Sequence, residues 1–514
     1  MRTALIASLA AALAFAGCKG GDSEDYVTEN PPAASFQIDP KEASIVIGGS
    51  QQFTATSGNS NVIWMIAGET SAGTTSIDSN GKLDIARDEE AATITVTAWL
   101  KADLDKQDTA EVTITPATEV NCFSNGTGEE GSAIDLIKDY KSAGPLVIKL
   151  AAASTEESVN LGDSAQDING GLVLTAADSP ANVIIDGGNR TITLSSTGTV
   201  PVITVGTGVT LTLWNITLTG STGNSASLVK VKDGGRLVLA EGAVITGNTT
   251  TGVTGSGVHV ASNGTLEMSG GIISYNTGNY NGGGVFVDTN GSLKMSGGII
   301  SYNTGNYGGG VYVNGGKLEM SGGTISYNTG KANGGGVYVN GGTLEMSGDA
   351  VVSGNTTNNA SGGGVYLDNG ALKIEGNANI SNNKAKTYGG GISTEGNSTI
   401  TMKDNAKISN NEAVSDEGGG VVVYKATFTM EGGTIFGNKA AKTGGGVYVY
   451  KDSGSIFEMT GGIIYGSGEP GKDADDNDLK NTAVISGAAV YVDNGGVSNV
   501  DTTDNTVNGV EQGN

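Results

Sequence analysis

The sequence predicts an all-β protein: a β-sandwich of about one domain's length, followed by a long parallel β-helix. Three observations predict it. Gly-Gly-Gly-Val or Gly-Gly-Gly-Ile begins at Gly282, Gly308, Gly334, Gly362, Gly389, Gly418 and Gly444, at intervals of 26, 26, 28, 27, 29 and 26 residues. A period of this length means stacked units that each contact only their neighbours. Within a period the apolar residues alternate, as in Val337-Tyr338-Val339 and Leu344-Glu345-Met346, which is strand rather than helix spacing. Composition agrees, with Gly 85 of 514 residues and only 8 Pro to interrupt a ladder.

Each period is expected to hold three short strands: Val-x-Val after the glycines, Leu-x-Met, and a segment such as Thr324 to Ser326. Each strand pairs with its equivalent one repeat away, so inward residues form columns. One column runs through Val285, Val311, Val337, Val365, Ile392, Val421 and Val447, and another through Met268, Met295, Met320, Met346, Ile374, Met402, Met430 and Met459. Gly and Asn mark the corners, where positive φ is tolerated. Asn276, Asn303, Asn328, Asn355, Asn383, Asn411 and Asn438, preceded by Asn248, each follow an Ile or Val by three residues. Stacked amides at ~4.8 Å spacing can hydrogen-bond along such a column, so a structural ladder is expected there.

Arg2 precedes an apolar run from Ala4 to Phe15, too short to span a bilayer and suited to a signal-peptide core over 1–17. Phe15-Ala16-Gly17-Cys18 resembles a lipobox in the relaxed form found in spirochaetes, which implies lipid on Cys18. Residues 18–35, rich in Gly, Asp, Glu and Pro, then form a lipidated tether. The other cysteine is Cys122, which leaves no disulfide framework. The expected location is the cell outer membrane, lipid-anchored and surface-exposed. A formal net charge of -25 makes nucleic acid and anionic lipid poor partners.

Residues 36–118 alternate in short runs, the pattern of a sandwich. Ile47-Gly48-Gly49 before Gln52-Phe53-Thr54-Ala55, the tryptophan in Asn61-Val62-Ile63-Trp64, Ile77 to Leu83 and Ala92 to Ala98 resemble a group 2 bacterial Ig-like domain, a family of spacers and adhesin modules. Residues 119–497 are read as the β-helix, with regular repeats over about 255–467 and a polar tail at 498–514. Ser132 can cap a helix from Ala133 to about Lys141 that covers the first rung. Asp186-Gly187-Gly188 and Thr212 to Leu218 resemble the early coils of right-handed β-helices of the pectin-lyase-like class. Counting from 145 to 495 gives roughly thirteen rungs and, at ~4.8 Å each, a rod on the order of 60 Å long.

That class contains polysaccharide lyases and glycosidases, but fold alone does not carry function. The helix region has only Arg190 and Arg236, and His259 is the one histidine of the chain. The acidic insertion with Asp473, Asp475, Asp476 and Asp478 does not complete an EF-hand, since Val484 stands where a bidentate Glu is needed. No metal, cofactor or catalytic residue is therefore expected. Binding has better material. The middle residues of the Val-x-Val strands, Phe286, Tyr312, Tyr338, Tyr366 and Tyr448, point away from the interior and are expected to form an exposed aromatic stripe for a host protein or glycan. Glu267, Lys294, Glu319, Glu345 and Lys373 read as a solvated column of mixed sign. The Gly-Gly-Gly and Ile-x-x-Asn pairing loosely resembles repeats of chlamydial polymorphic outer-membrane adhesins. The expectation is a monomeric, non-catalytic surface lipoprotein, an adhesin or display rod. The alternatives are a carbohydrate-active enzyme of the pectin-lyase-like fold and a purely structural spacer.

Overall fold

The computed structural model describes residues 36–512 except 68–74, 87–88, 90, 121–131, 140–144, 151–155, 160–171, 177–180, 195–199, 253, 452–453, 467–478, 494–496, 501–505 and 508–509. The expected signal segment, Cys18, the expected tether, Cys122 and Asp473, Asp475, Asp476 and Asp478 lie outside the described residues. The chain divides into two compact units after Ile114.

The first unit is antiparallel. Glu42–Val46, Asp103–Thr115, Thr93–Leu100 and Val62–Ala67 form one sheet in that spatial order, and Ser50–Gln52, Lys82–Asp84 and Ser76–Ile77 form another. Alternation sends Ile94, Val96 and Ala98 inward from one strand and Ala110, Val112 and Ile114 from its neighbour. Trp64 is buried with its ring centroid 6.5 Å from that of Phe53.

The second unit is parallel throughout its described strand pairs. One regular coil contains Val311–Asn314, Lys317–Met320, Thr324–Ser326 and the two-residue strand Thr329–Gly330. The first lies in a 13-stranded sheet, the second and third in one continuous long sheet, and the fourth in a 9-stranded sheet. The expectation of three strands per coil is thus corrected to four. The buried asparagine turns the chain sharply, and the Thr-Gly pair just beyond it is brought back against its equivalent one coil away.

Register is residue for residue: Val311 pairs with Val337, Leu318 with Leu344, and Ile325 with Val352. This is a right-handed parallel β-helix. Its inward Val, Leu, Met and Ile columns, 0–2 % exposed along the regular coils, join one continuous core. A residue slip would turn every one of them to the outer face, so the apolar columns hold the register. At the N-terminal side an α-helix, Ala133–Asp139, contributes Ala133 and Ile137 to the same core as Leu146 and Ile148. Among the described residues no helix is long and apolar enough to cross a membrane.

Because each coil meets an equivalent neighbour, deletion of one period, residues 309 to 334, should leave a shorter, cooperatively melting rod. Circular dichroism and a thermal scan check this, and loss of the β signal would contradict the modular reading.

Candidate binding surfaces on the β-helix

The triglycine turn is where the packing of the coil is tightest. Gly334 has φ +71°, and a Cβ there would stand 2.7 Å from the Val337 carbonyl oxygen and 2.9 Å from Tyr338 Cβ. A Cβ on Gly335 would run into the backbone of Gly363 and Thr356 in the next coil, and one on Gly336 would meet the Asn355 amide at 2.9 Å. The three glycines therefore make room, respectively, for an aromatic residue, the next backbone and the asparagine ladder.

That ladder is closed and buried. Asn303 Nδ2 donates to Asn328 Oδ1 at 3.0 Å, and Asn328, Asn355 and Asn383 repeat the link at 3.0 Å each to the following rung. The same oxygen also accepts from the backbone N–H of the preceding asparagine, as in Asn303 to Asn328 at 2.9 Å. The second amide hydrogen goes to a backbone carbonyl, that of Ile273 for Asn303 at 2.8 Å. Asn276, Asn411 and Asn438 take part in the same way, and the chain of amides continues to Asn481, across the acidic insertion. Each amide is satisfied on every side, which is what a buried polar column requires.

The aromatic residues are arranged otherwise than expected. Phe286, Tyr312, Tyr338, Tyr366 and Tyr448 do project from the outer side of their strands, but each is only 5–7 % exposed, so the expectation of an exposed stripe is corrected. Successive rings from Phe286 to Tyr366 stack at 5.4, 4.9 and 5.1 Å and cover one another's faces. Tyr307 packs edge-on against Tyr338, and the triglycine turns close over the column. The hydroxyls are engaged too: Tyr338 donates to Asp368 at 3.1 Å, Tyr366 to Glu395 at 2.5 Å and Tyr448 to Asp493 at 3.1 Å. Burial, with those carboxylates beside them, raises the pKa of all three phenols far above the usual value.

A second aromatic ladder stands in the open, and the sequence reading missed it. Tyr275, Tyr302 and Tyr327, each immediately before a ladder asparagine, are 61, 48 and 58 % exposed and stack in parallel at 5.1 and 5.3 Å. Their backbones have φ +54°, +55° and +55°. The equivalent positions in other coils, Gly247, Gly354, Asn382, Asn410 and Gly437, are also left-handed but carry the residues that tolerate it. The signal was available in the sequence: Tyr occupies a corner that is elsewhere Gly or Asn. Ile272 and Ile299, in register with one another, lie three residues before Tyr275 and Tyr302 and are themselves exposed. From Met295 to Gly316 the chain holds no charged residue, nor does it from Ser269 to Val287. In a chain of net charge -25 these two stretches hold only uncharged residues, chiefly Tyr, Ile, Ser, Thr, Asn and Gly, while Lys331, four residues after Tyr327, donates to Asn279 at 3.0 Å.

The charged residues fall elsewhere. Glu267, Lys294, Glu319, Glu345 and Lys373 lie in register on the long sheet, where Lys317 bridges Glu319 at 2.6 Å and Glu345 at 3.1 Å. Glu267, Lys294, Glu319 and Glu345 border a groove of about 530 Å³ with Ser269, Ser296 and Ser321. Such exposed pairs contribute little to stability. Arg236 is held by both oxygens of Glu267 at 2.9 and 2.5 Å, whereas Arg190 is buried at 2 % exposure. His259 heads the buried aromatic column, edge-to-face with Phe286 at 5.3 Å. Burial first, and then Lys230, pulls its pKa down to about 4, with Asp288 opposing.

Residues 203–406 match the family described as right handed beta helix region, so this part of the chain is similar to that family. No curated protein matches the chain.

His259 sets a pH dependence. The unfolded imidazole titrates near 6.5 and the folded one near 4, so between these values the unfolded state binds the extra proton. Stability should be constant above that window, fall as pH drops through it, and level off below. His259→Phe should flatten this segment of a denaturant-midpoint against pH plot, the carboxylate titrations at lower pH remaining.

Proposed function

We propose that this chain is a non-catalytic cell-surface lipoprotein, anchored by lipid on Cys18 and using its β-helix as a rigid rod that binds a host protein or glycan. The observation that carries the reading is the exposed, left-handed ladder Tyr275, Tyr302 and Tyr327. A bulky residue on left-handed backbone costs about 1–2 kcal/mol. Stacking returns about 0.5–1.5 kcal/mol per aromatic pair. Three left-handed tyrosines thus cost about 3–6 kcal/mol while their two stacked pairs return about 1–3 kcal/mol, and Gly or Asn fills the same corner elsewhere without strain, so the fold has no need of tyrosine here. What tyrosine adds is a row of hydroxyls and apolar ring edges, repeated at the rung spacing and bordered by Ile272 and Ile299. A surface rich in Tyr, Ser, Gly and Asn has the composition of antibody binding loops, where aromatic area and adaptable hydrogen bonds work together. The regular Asn and apolar columns supply the rigidity that keeps such a row pre-organised.

Replacing Tyr275, Tyr302 and Tyr327 together with Asn, the residue found at Asn382 and Asn410, should abolish attachment to cells or glycan-coated surfaces. The melting temperature should move by no more than a few degrees. Attachment that survives the triple replacement would overturn the role of this ladder. Phe286→Thr in the buried column should do the reverse, lowering stability while leaving attachment of the folded fraction intact.

The anchor is tested separately. Cys18→Ser should move the protein from the detergent phase to the aqueous phase and free it from membranes, and unchanged partitioning would rule out lipid at that position.

A further inference from the structure

The buried aromatic column has a gap. In register after Tyr366 come Ser393 and Val422, and only then Tyr448. Elsewhere along the column consecutive rings cover each other at 4.9–5.7 Å, but here two rungs carry side chains too small to reach. Neighbouring side chains refill the space only in part, leaving Ser393 and Val422 buried at 4 and 3 % exposure. What remains is a cleft of about 220 Å³. The Tyr366 ring, stacked on Tyr338 on one side, ends the stack where the next position holds Ser393. Tyr388, Tyr424 and Tyr450 form the other walls, the last two in an edge-to-face pair at 4.9 Å.

Three carboxylates and two ammonium groups stand around this cleft. Glu395 lies on its lining and accepts the Tyr366 hydroxyl. Burial first, and then the nearby Asp416 and Glu417, opposes ionisation of Tyr388, and Lys442 pairs with both carboxylates. The Lys425 ammonium lies 5.2 Å from the centroid of Tyr424, so this ring already engages a cation. Tyrosine faces attract cations through the ring quadrupole, and they do so best where several rings and a carboxylate converge on a site partly shielded from water.

We propose that the cleft left by Ser393 and Val422 is an aromatic cage for an organic ammonium group. Its volume is below the ~300–1,000 Å³ of pockets for drug-sized ligands, so it takes a head group and not a whole chain. A trimethylammonium group satisfies the chemistry: its methyls lie on Tyr366, Tyr424 and Tyr450 while Glu395 balances its charge. The same group occurs in choline and in trimethylated lysine. This site is on the face of the coil that carries the Val-x-Val strands, apart from the tyrosine row at the asparagine corner, and it stands or falls independently of that row.

The test uses the full chain with choline, with a trimethyllysine peptide and with 3,3-dimethylbutan-1-ol, the neutral isostere of choline, followed by calorimetry and tyrosine fluorescence. Choline should bind at least tenfold more tightly than the isostere. A peptide that binds more tightly than choline identifies a methylated protein as the source, and the reverse order identifies a choline head group. Glu395→Gln should weaken choline and leave the isostere unchanged, and Tyr450→Leu should weaken both. Ser393→Tyr should complete the stack and abolish binding, with a melting temperature equal to or above that of the parent. Equal affinity for choline and its isostere, or no binding at millimolar concentration, would each overturn the proposal. So would binding that survives both Glu395→Gln and Tyr450→Leu.

Discussion

In-register repetition is the constraint on which everything else in the second unit rests. A parallel coil leaves each rung with backbone groups that only an equivalent rung can satisfy, and with an apolar face that only an equivalent face can cover. The asparagine column carries this condition into the buried corner. Each amide donates forward to the next amide and sideways to a backbone carbonyl, and accepts from the rung behind, so no member can be left out without stranding donors on its neighbours. Stranded buried donors cost about 1–3 kcal/mol each, which makes the ladder an all-or-none device. The triglycine turn is its consequence, because the third glycine of each tetrad, such as Gly336, lies against the asparagine of the following rung.

Given that frame, the outer surface of a rung is free to vary, and the variation carries the chemistry. At the corner before each asparagine the backbone is left-handed whatever the residue, and three adjacent coils place tyrosine there. On the Val-x-Val strands the outward residue is aromatic for four consecutive rungs, then small for two, then aromatic again. The first departure makes an exposed tyrosine row and the second makes a cleft. Both arise by substitution alone, without an insertion that would interrupt the ladders.

Much of this was legible beforehand because a solenoid turns sequence period into spatial proximity. The Val285 and Met268 columns, the asparagine ladder and the mixed-sign column from Glu267 to Lys373 could all be aligned by counting, since residues one period apart become neighbours. Counting fails for accessibility. Tyr338 projects outward, as alternation requires, yet it is buried, because the rings above and below it and the Gly334 turn shut it in. It fails also for corners, where alternation has no meaning. Tyr302 was therefore passed over, although a bulky residue aligned with Gly354 and Asn382 is the anomaly that marks it.

By itself, then, the sequence determined the class of fold, the register and the residues that hold it, because identical residues at a fixed interval leave only one way to bury them all. Which aromatic side chains meet solvent was decided by tertiary structure alone. Exposure depends on what lies across the rung and along the stack, and that is a property of the closed coil and not of any one repeat. The same applies to the cleft. Ser393 and Val422 are unremarkable residues until their neighbours in space are known to be Tyr366, Tyr388, Tyr424 and Tyr450.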